Sequence, residues 1–593
     1  MKKCLCSSCA ALFAAFSVSA AIEPLAALRI PSVEKLGATT TQFCGAIGQP
    51  MLGGMATGIL QQQIQTMIGP FDQTKPVAIV VYGDTAKLET ALAKNEDGSP
   101  MSALPDVKTG VILPISMSSE EFARSKLLKL NAEGVAQLPG TPMFITFKGQ
   151  NAFIASDEQT VQRLKIEASH YQTVPANGDA LSIEFFPPAI SLYGNLIGKQ
   201  FKEKPDGLGP MQSALMSFSL FSAAENKKQL EQLASSTLGL GYNQADGFKI
   251  GMDVRYKPGT ELASLAAAAK PVKTDLLANV PDTALFCQQI SMTAPDVASN
   301  LKNNQSNLVP FIQAILDASI TQKYPALSKA ITESTGNSMK ILGMCEQCVT
   351  SFGYDKTSKF WGYSRFVTSA GQKEAVFQSV LAENQKLVTA VKASFPDKPF
   401  LTFDAPSATM SFDPAQFPVK EIVNAVNASG KNAKPVKDTE LAEIETNVRN
   451  VFQALTGGQP IRIRTVKTAD GYENIASCDG VANLPKFAGN GQLASASAKG
   501  SGNVTEFTYL DLFTIAKNVL EELAPKLSED TKKELAPILA MIAAGGPGSG
   551  LTARTKTEGT SAYTEIRLPQ QLLQKISAIV AAINAKSGDD DDQ

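Results

Sequence analysis

The chain has 593 residues, and its 54 Lys+Arg against 56 Asp+Glu leave a formal net charge of −2. That balance argues against a nucleic-acid binder working through phosphate neutralisation, while 44% hydrophobic and 19% charged residues fit a folded globular chain of several domains. With one His and one Trp, a His-rich metal site is excluded, and Ser-His or Cys-His chemistry would have to run through His170.

Residues 1–20 read as a secretory signal. Lys2 and Lys3 supply the positive start, Ala10–Phe16 the apolar stretch, and Val18-Ser19-Ala20 a small-residue cleavage site. The apolar run is short for a membrane anchor, and no later segment offers ~20 uninterrupted apolar residues. The expected location is therefore exported: periplasm, outer envelope or extracellular, with no transmembrane segment after signal cleavage. Cleavage would remove Cys4, Cys6 and Cys9 and leave Cys44, Cys287, Cys345, Cys348 and Cys478 in a compartment that permits disulfides.

Residues 21–74 form a Gly/Ala-rich segment expected to be helical, with a short helix over Glu23–Leu36 interrupted by Pro31. Gly54 and Gly58 have the spacing that lets helices approach closely. Residues 75–275 make a first α+β half. Pro76–Tyr82 and Thr109–Ile115 read as strands, and Asp84–Lys94 as a helix between them. Ser118 opens a capped helix with Glu120 and Glu121 in its first turn. Met143–Phe147 and Asn151–Ala155 flank Gly149 as a hairpin, and Ser156-Asp157 caps the helix that follows.

Residues 276–484 make a second α+β half. Three of its segments echo the first: Phe366–Ser369 echoes Phe153–Ser156, Ala408–Phe412 echoes Ala180–Phe185, and Arg464–Tyr472 echoes Leu240–Phe248. Their shared spacing of about 220 residues suggests a duplicated unit; the alternative is chance similarity among ordinary hairpins. A Gly/Ala/Ser-rich linker follows at 485–503. Residues 504–586 are read as C-terminal helices (Tyr509–Leu527, Ser528–Ala544, Pro569–Ala585) with one hairpin, and 587–593 as an acidic tail. The fold class expected is α+β, with largely antiparallel sheets, interleaved helices, two duplicated halves and a helical C-terminal region.

The sequence holds no G-x-S-x-G elbow, P-loop, H-E-x-x-H or G-x-G-x-x-G. His170 reads as a helix-end side chain. Cys345 and Cys348 are spaced for a redox dithiol, half a zinc site or a local disulfide. Lys340–Met344 and Val349–Phe352 around them read as strand, which favours a disulfide over a thioredoxin-like site. Tyr354, Phe360, Trp361 and Tyr363 flank a turn and form an aromatic cluster, either a surface for stacking on sugars or cross-strand packing. No cofactor or metal ligand set is recognised.

Three short stretches, Ala152–Leu164, Val280–Phe286 and Thr508–Phe513, resemble uncharacterised exported proteins of planctomycete and verrucomicrobial bacteria. That resemblance implies an exported α+β protein without an assigned activity, and it carries no functional residues. The expected function is a non-catalytic structural or binding protein of the cell envelope. The alternatives are a periplasmic carrier of an apolar ligand, held between sheet and helices, or a thiol-redox protein using Cys345 and Cys348. The expected partner is a protein or an apolar small molecule.

Overall fold

Alternation of buried and exposed side chains, broken by turn formers, folds much of this chain into antiparallel strands with helices between them. The computed structural model describes residues 22–94, 107–173, 179–200, 210–281, 284–355, 359–428, 436–478, 493, 503–523 and 550–578. The fold is α+β, with extensive antiparallel pairing, interleaved helices and a helical C-terminal region. It divides into two compact units: unit 1 takes residues 1–200, 225–258 and 561–593, and unit 2 takes 201–224 and 259–560. Residues 504–558, expected to be separate from the second half, thus belong to unit 2.

Unit 1 contains strands β1 (Glu23–Ile30), β2 (Val77–Gly83), β3 (Lys108–Pro114), β4 (Val135–Gln137), β5 (Phe144–Lys148), β6 (Asn151–Ala155), β7 (Leu181–Phe185), β8 (Leu233–Asn243) and β9 (Gly247–Tyr256). Their order is β4-β5-β6-β3-β2-β1-β7-β8-β9, and every pair is antiparallel.

The helix expected over Glu23–Leu36 is instead a central strand, paired with β2 on one side and β7 on the other. Leu25-Ala26-Ala27-Leu28 has high helix propensity, but burial between two strands overrides it. Leu25, Ala27 and Ile30 are core residues. Arg29 is also buried, forming an ion pair with Glu184 of β7 and donating to the carbonyls of His170 and Tyr171. The helix begins only at Val33, capped by Ser32.

Helices α1 (Val33–Ala46) and α2 (Pro50–Ile68) pack as an antiparallel pair. A side chain at Gly53 would collide with the Thr41 backbone, and one at Gly37 with Thr57. These two glycines, not Gly54 and Gly58, permit the close approach. A side chain at either of the latter would meet nothing within 4 Å.

Unit 2 contains β10 (Ala284–Ser291), β11 (Cys345–Asp355), β12 (Lys359–Thr368), β13 (Leu401–Asp404), β14 (Thr409–Phe412), β15 (Ile461–Lys467), β16 (Gly471–Cys478), β17 (Val504–Leu510) and β18 (Leu551–Glu558). Their order is β13-β14-β15-β16-β12-β11-β10-β17-β18, again antiparallel throughout. The last strand, β19 (Ser561–Leu568), pairs with β9 in unit 1.

The two units share a connectivity. In each, the first strand lies between the second strand and one from much later in the chain: β1 between β2 and β7, β10 between β11 and β17. In each, a meander ends by pairing with the third strand: β6 on β3, β16 on β12. The three sequence echoes do not follow this correspondence. They match β6 with β12, β7 with β14, and the β8–β9 turn with the β15–β16 turn. What they share is hairpin and strand-end chemistry, not position in the fold.

Two further local expectations change. Lys340–Gly343 is the last turn of a helix, Pro325–Gly343, so the strand starts only at Cys345. Tyr509 ends β17, and the helix begins at Leu512, where Asp511 accepts from the Thr514 amide at 3.0 Å. The signal segment, nearly all of the 485–503 linker, the helix expected at Ser528–Ala544 and the acidic tail lie outside the described residues. Among those described, no helix is long and apolar enough to cross a membrane.

Candidate functional site

Strand alternation splits the aromatic cluster in two. Successive side chains on β11 and β12 point to opposite faces of the sheet. Trp361 and Tyr363 face inward and are core residues, 0% and 2% exposed, packed with Cys287, Val349 and Phe507. They are therefore not part of an aromatic surface. Tyr354 and Phe360 face the other way, together with Phe352, whose ring stacks on Phe286 at 5.1 Å between centroids.

That outer face is the floor of a pocket of about 250 Å³. Leu285, Phe352, Tyr354 and Phe360 line it from the strands, and Gly353 contributes backbone. Helix α3 (Asp438–Thr456) supplies one wall through Val451, Ala454 and Leu455, and helix α4 (Leu512–Leu523) another through Ile515 and Asn518.

Each wall is positioned by contacts outside the pocket. Phe452 of α3 sits in a cluster with Phe412 and Phe417, at 5.6 and 5.8 Å. That contact turns Val451 and Leu455 toward the strands. Gly457 ends α3 in a left-handed conformation, φ 66°, where glycine is favoured. The Tyr354 hydroxyl donates to the Ala454 carbonyl at 3.3 Å and ties floor to wall. Asp511 caps α4 at its start.

The lining is hydrocarbon and aromatic ring with almost no polar surface. The Tyr354 hydroxyl also receives a hydrogen bond from Lys359 Nζ at 3.2 Å. Phe352, Val451 and Leu455 are also among the exposed large apolar residues, at 37%, 52% and 39%, so the protein leaves apolar surface open here.

The same place in unit 1 is filled. Between β2 and β3 the chain inserts the helix Thr85–Lys94, and its Leu88, only 2% exposed, closes with Leu25 over Gly83. In unit 2 the equivalent β11–β12 connection is residues 356–358 alone. One connectivity is thus plugged in unit 1 and open in unit 2.

The cysteine pair has a different character. The five described cysteines are all buried and none is in a disulfide, so the expected local disulfide is not formed. Burial pushes the thiols of Cys345 and Cys348 up to about 12, with Cys348 adding to the effect on Cys345. Cys345 follows a helix C-terminus and its Sγ contacts the Ile341 carbonyl at 3.3 Å. A helix C-terminus disfavours a thiolate. A reactive thiol needs the opposite environment.

His170 lies in the last turn of the helix Glu158–Tyr171, with its ring against Tyr171 and Phe186. Among the described residues, no cluster of three or more His, Cys, Asp or Glu could hold a metal ion.

Sequence reasoning found Tyr354 and Phe360 but missed both walls. The signal was present in α3, where Leu441, Ile444, Val448, Val451 and Leu455 recur at helical spacing. Compared with protein-family models, with curated proteins and with solved structures, the chain matches none.

Proposed function

We propose that this protein is an exported, non-catalytic binding protein that holds a small apolar ligand in the unit 2 pocket. One observation carries the proposal: a 250 Å³ pocket with hydrocarbon and aromatic walls opens where the like-connected unit 1 is plugged by its own Leu88. Binding sites are typically concave and mostly apolar, with a few placed polar groups. An apolar cavity of about 150 Å³ takes up benzene, so this one has room for a short acyl chain or a substituted ring.

The test is isothermal titration of the full chain with 1-octanol. Saturable binding is expected, and Val451→Trp should abolish it by filling the pocket. Because Val451 is half exposed, the larger ring can enter without disturbing the core. Absence of saturable binding, or binding unchanged by Val451→Trp, would refute the proposal.

A further inference from the structure

The lining of the unit 2 pocket selects one part of a molecule and ignores the rest. Resting on the binding reading above, we propose that the ligand is an amphiphile recognised by its hydrocarbon tail alone, with about ten carbons in the pocket and the polar head left in solvent.

The lining exposes almost no polar surface. Its hydroxyl, that of Tyr354, donates to the Ala454 carbonyl at 3.3 Å and accepts from Lys359 Nζ at 3.2 Å, so it is engaged within the protein. A head group drawn inside would give up its water and find no hydrogen bond in exchange. That is unfavourable for a hydroxyl and more so for a charge of either sign. The tail therefore supplies the binding energy, through the apolar surface it removes from water.

The pocket is also open on one side. Leu285, 6% exposed, marks its buried side, whereas Phe352, Val451 and Leu455 belong both to the lining and to the exposed surface. A wholly apolar molecule would leave hydrocarbon in water at that opening. An amphiphile puts its polar atoms there, where they keep their hydration, and buries only carbon. The volume sets the length: an apolar cavity of about 150 Å³ holds a benzene ring, so in proportion one of about 250 Å³ holds about ten carbons.

The experiment is isothermal titration of the full chain with hexanoate, octanoate, decanoate and dodecanoate below their micelle-forming concentrations, and with 1-octanol and octylamine beside octanoate. Affinity is expected to rise about fourfold per added CH₂ and to level off at about ten carbons, with dodecanoate no tighter than decanoate. Octanoate, 1-octanol and octylamine should agree within about threefold, a difference smaller than one net hydrogen bond confers. Ala454 lines the pocket from α3. The longer side chain of Ala454→Leu takes up part of the space and should move the plateau to shorter chains.

If one head group is preferred tenfold or more, and Val451→Trp abolishes binding, the pocket stands and recognition by the tail alone falls. If affinity keeps rising through dodecanoate, or Ala454→Leu leaves the plateau where it was, the pocket does not enclose the tail and the proposal is overturned. If none of these compounds binds, the pocket reading itself has failed.

Discussion

Gly353 and Trp361 face each other across the β11–β12 ladder, and the indole fills the space that a side chain at 353 would need. This pairing decides which way the hairpin's aromatic residues point. With Trp361 seated on Gly353 in the core, its neighbour Phe360 and, across the ladder, Phe352 and Tyr354 are left on the pocket face. Any side chain at 353 must displace the ring. Gly353→Ala should therefore lower the stability of unit 2 by about 1–3 kcal/mol. Trp361 is the only Trp in the chain, so its fluorescence reports unfolding of this unit alone. An unchanged denaturation midpoint by that signal would contradict the packing described.

The Arg29–Glu184 pair anchors the central strand of unit 1. Both side chains are under a tenth exposed. Glu184→Ala leaves the guanidinium buried without its carboxylate and should cost about 3–5 kcal/mol. Arg29→Met combined with Glu184→Leu removes both charges and should be less damaging than Glu184→Ala alone. Chemical denaturation of the three proteins checks this. A double variant less stable than the single would show that the pair supplies more than mutual neutralisation.

Thiol chemistry distinguishes a structural from a reactive role for the cysteines. Burial pushes Cys287, Cys345 and Cys348 up to about 12. These thiols stay neutral in the folded protein well above the pH at which they ionise when unfolded. Stability linked to them is fully present below the unfolded value of about 8.5 and is lost as pH rises toward 12. At pH 8, a thiol reagent should label the three only on unfolding. Rapid labelling of Cys345 in the native protein would restore the redox reading.

A carboxyl in unit 2 should make stability fall toward neutral pH. Burial, and next the carboxyl of Asp296, hold Glu506 well above the usual carboxylate range. Its Oε1 is buried without a hydrogen-bond partner. The stability linked to it is complete below the unfolded carboxylate value and declines as pH rises through the raised one. Glu506→Gln should flatten that decline, read as the denaturation midpoint between pH 5 and pH 8. An equal slope in the variant would remove Glu506 from the account.

Much of the local structure was legible in the sequence. Ser118 and Glu121 form a capping box, Asp157 caps the helix after β6, and the hairpin turns through Gly149 at φ 62°. These are contacts within a few residues, and short-range chemistry fixes them. What was not legible depends on distant partners. The sequence around Leu25 favours a helix, and only the flanking β2 and β7 make it a strand. The aromatic residues were found, but their division into Trp361 and Tyr363 on one face and Tyr354 and Phe360 on the other needs the ladder register. The pocket walls come from two helices far along the chain, Asp438–Thr456 and Leu512–Leu523, which no spacing within the hairpin could bring into view.

The central claim is that the unit 2 pocket holds an apolar ligand. Native mass spectrometry of the full chain equilibrated with octanoate, alongside Val451→Trp, tests it most directly. The account predicts a single bound equivalent on the unsubstituted protein and none on the variant. Equal adducts on both proteins, or none on either, would contradict it.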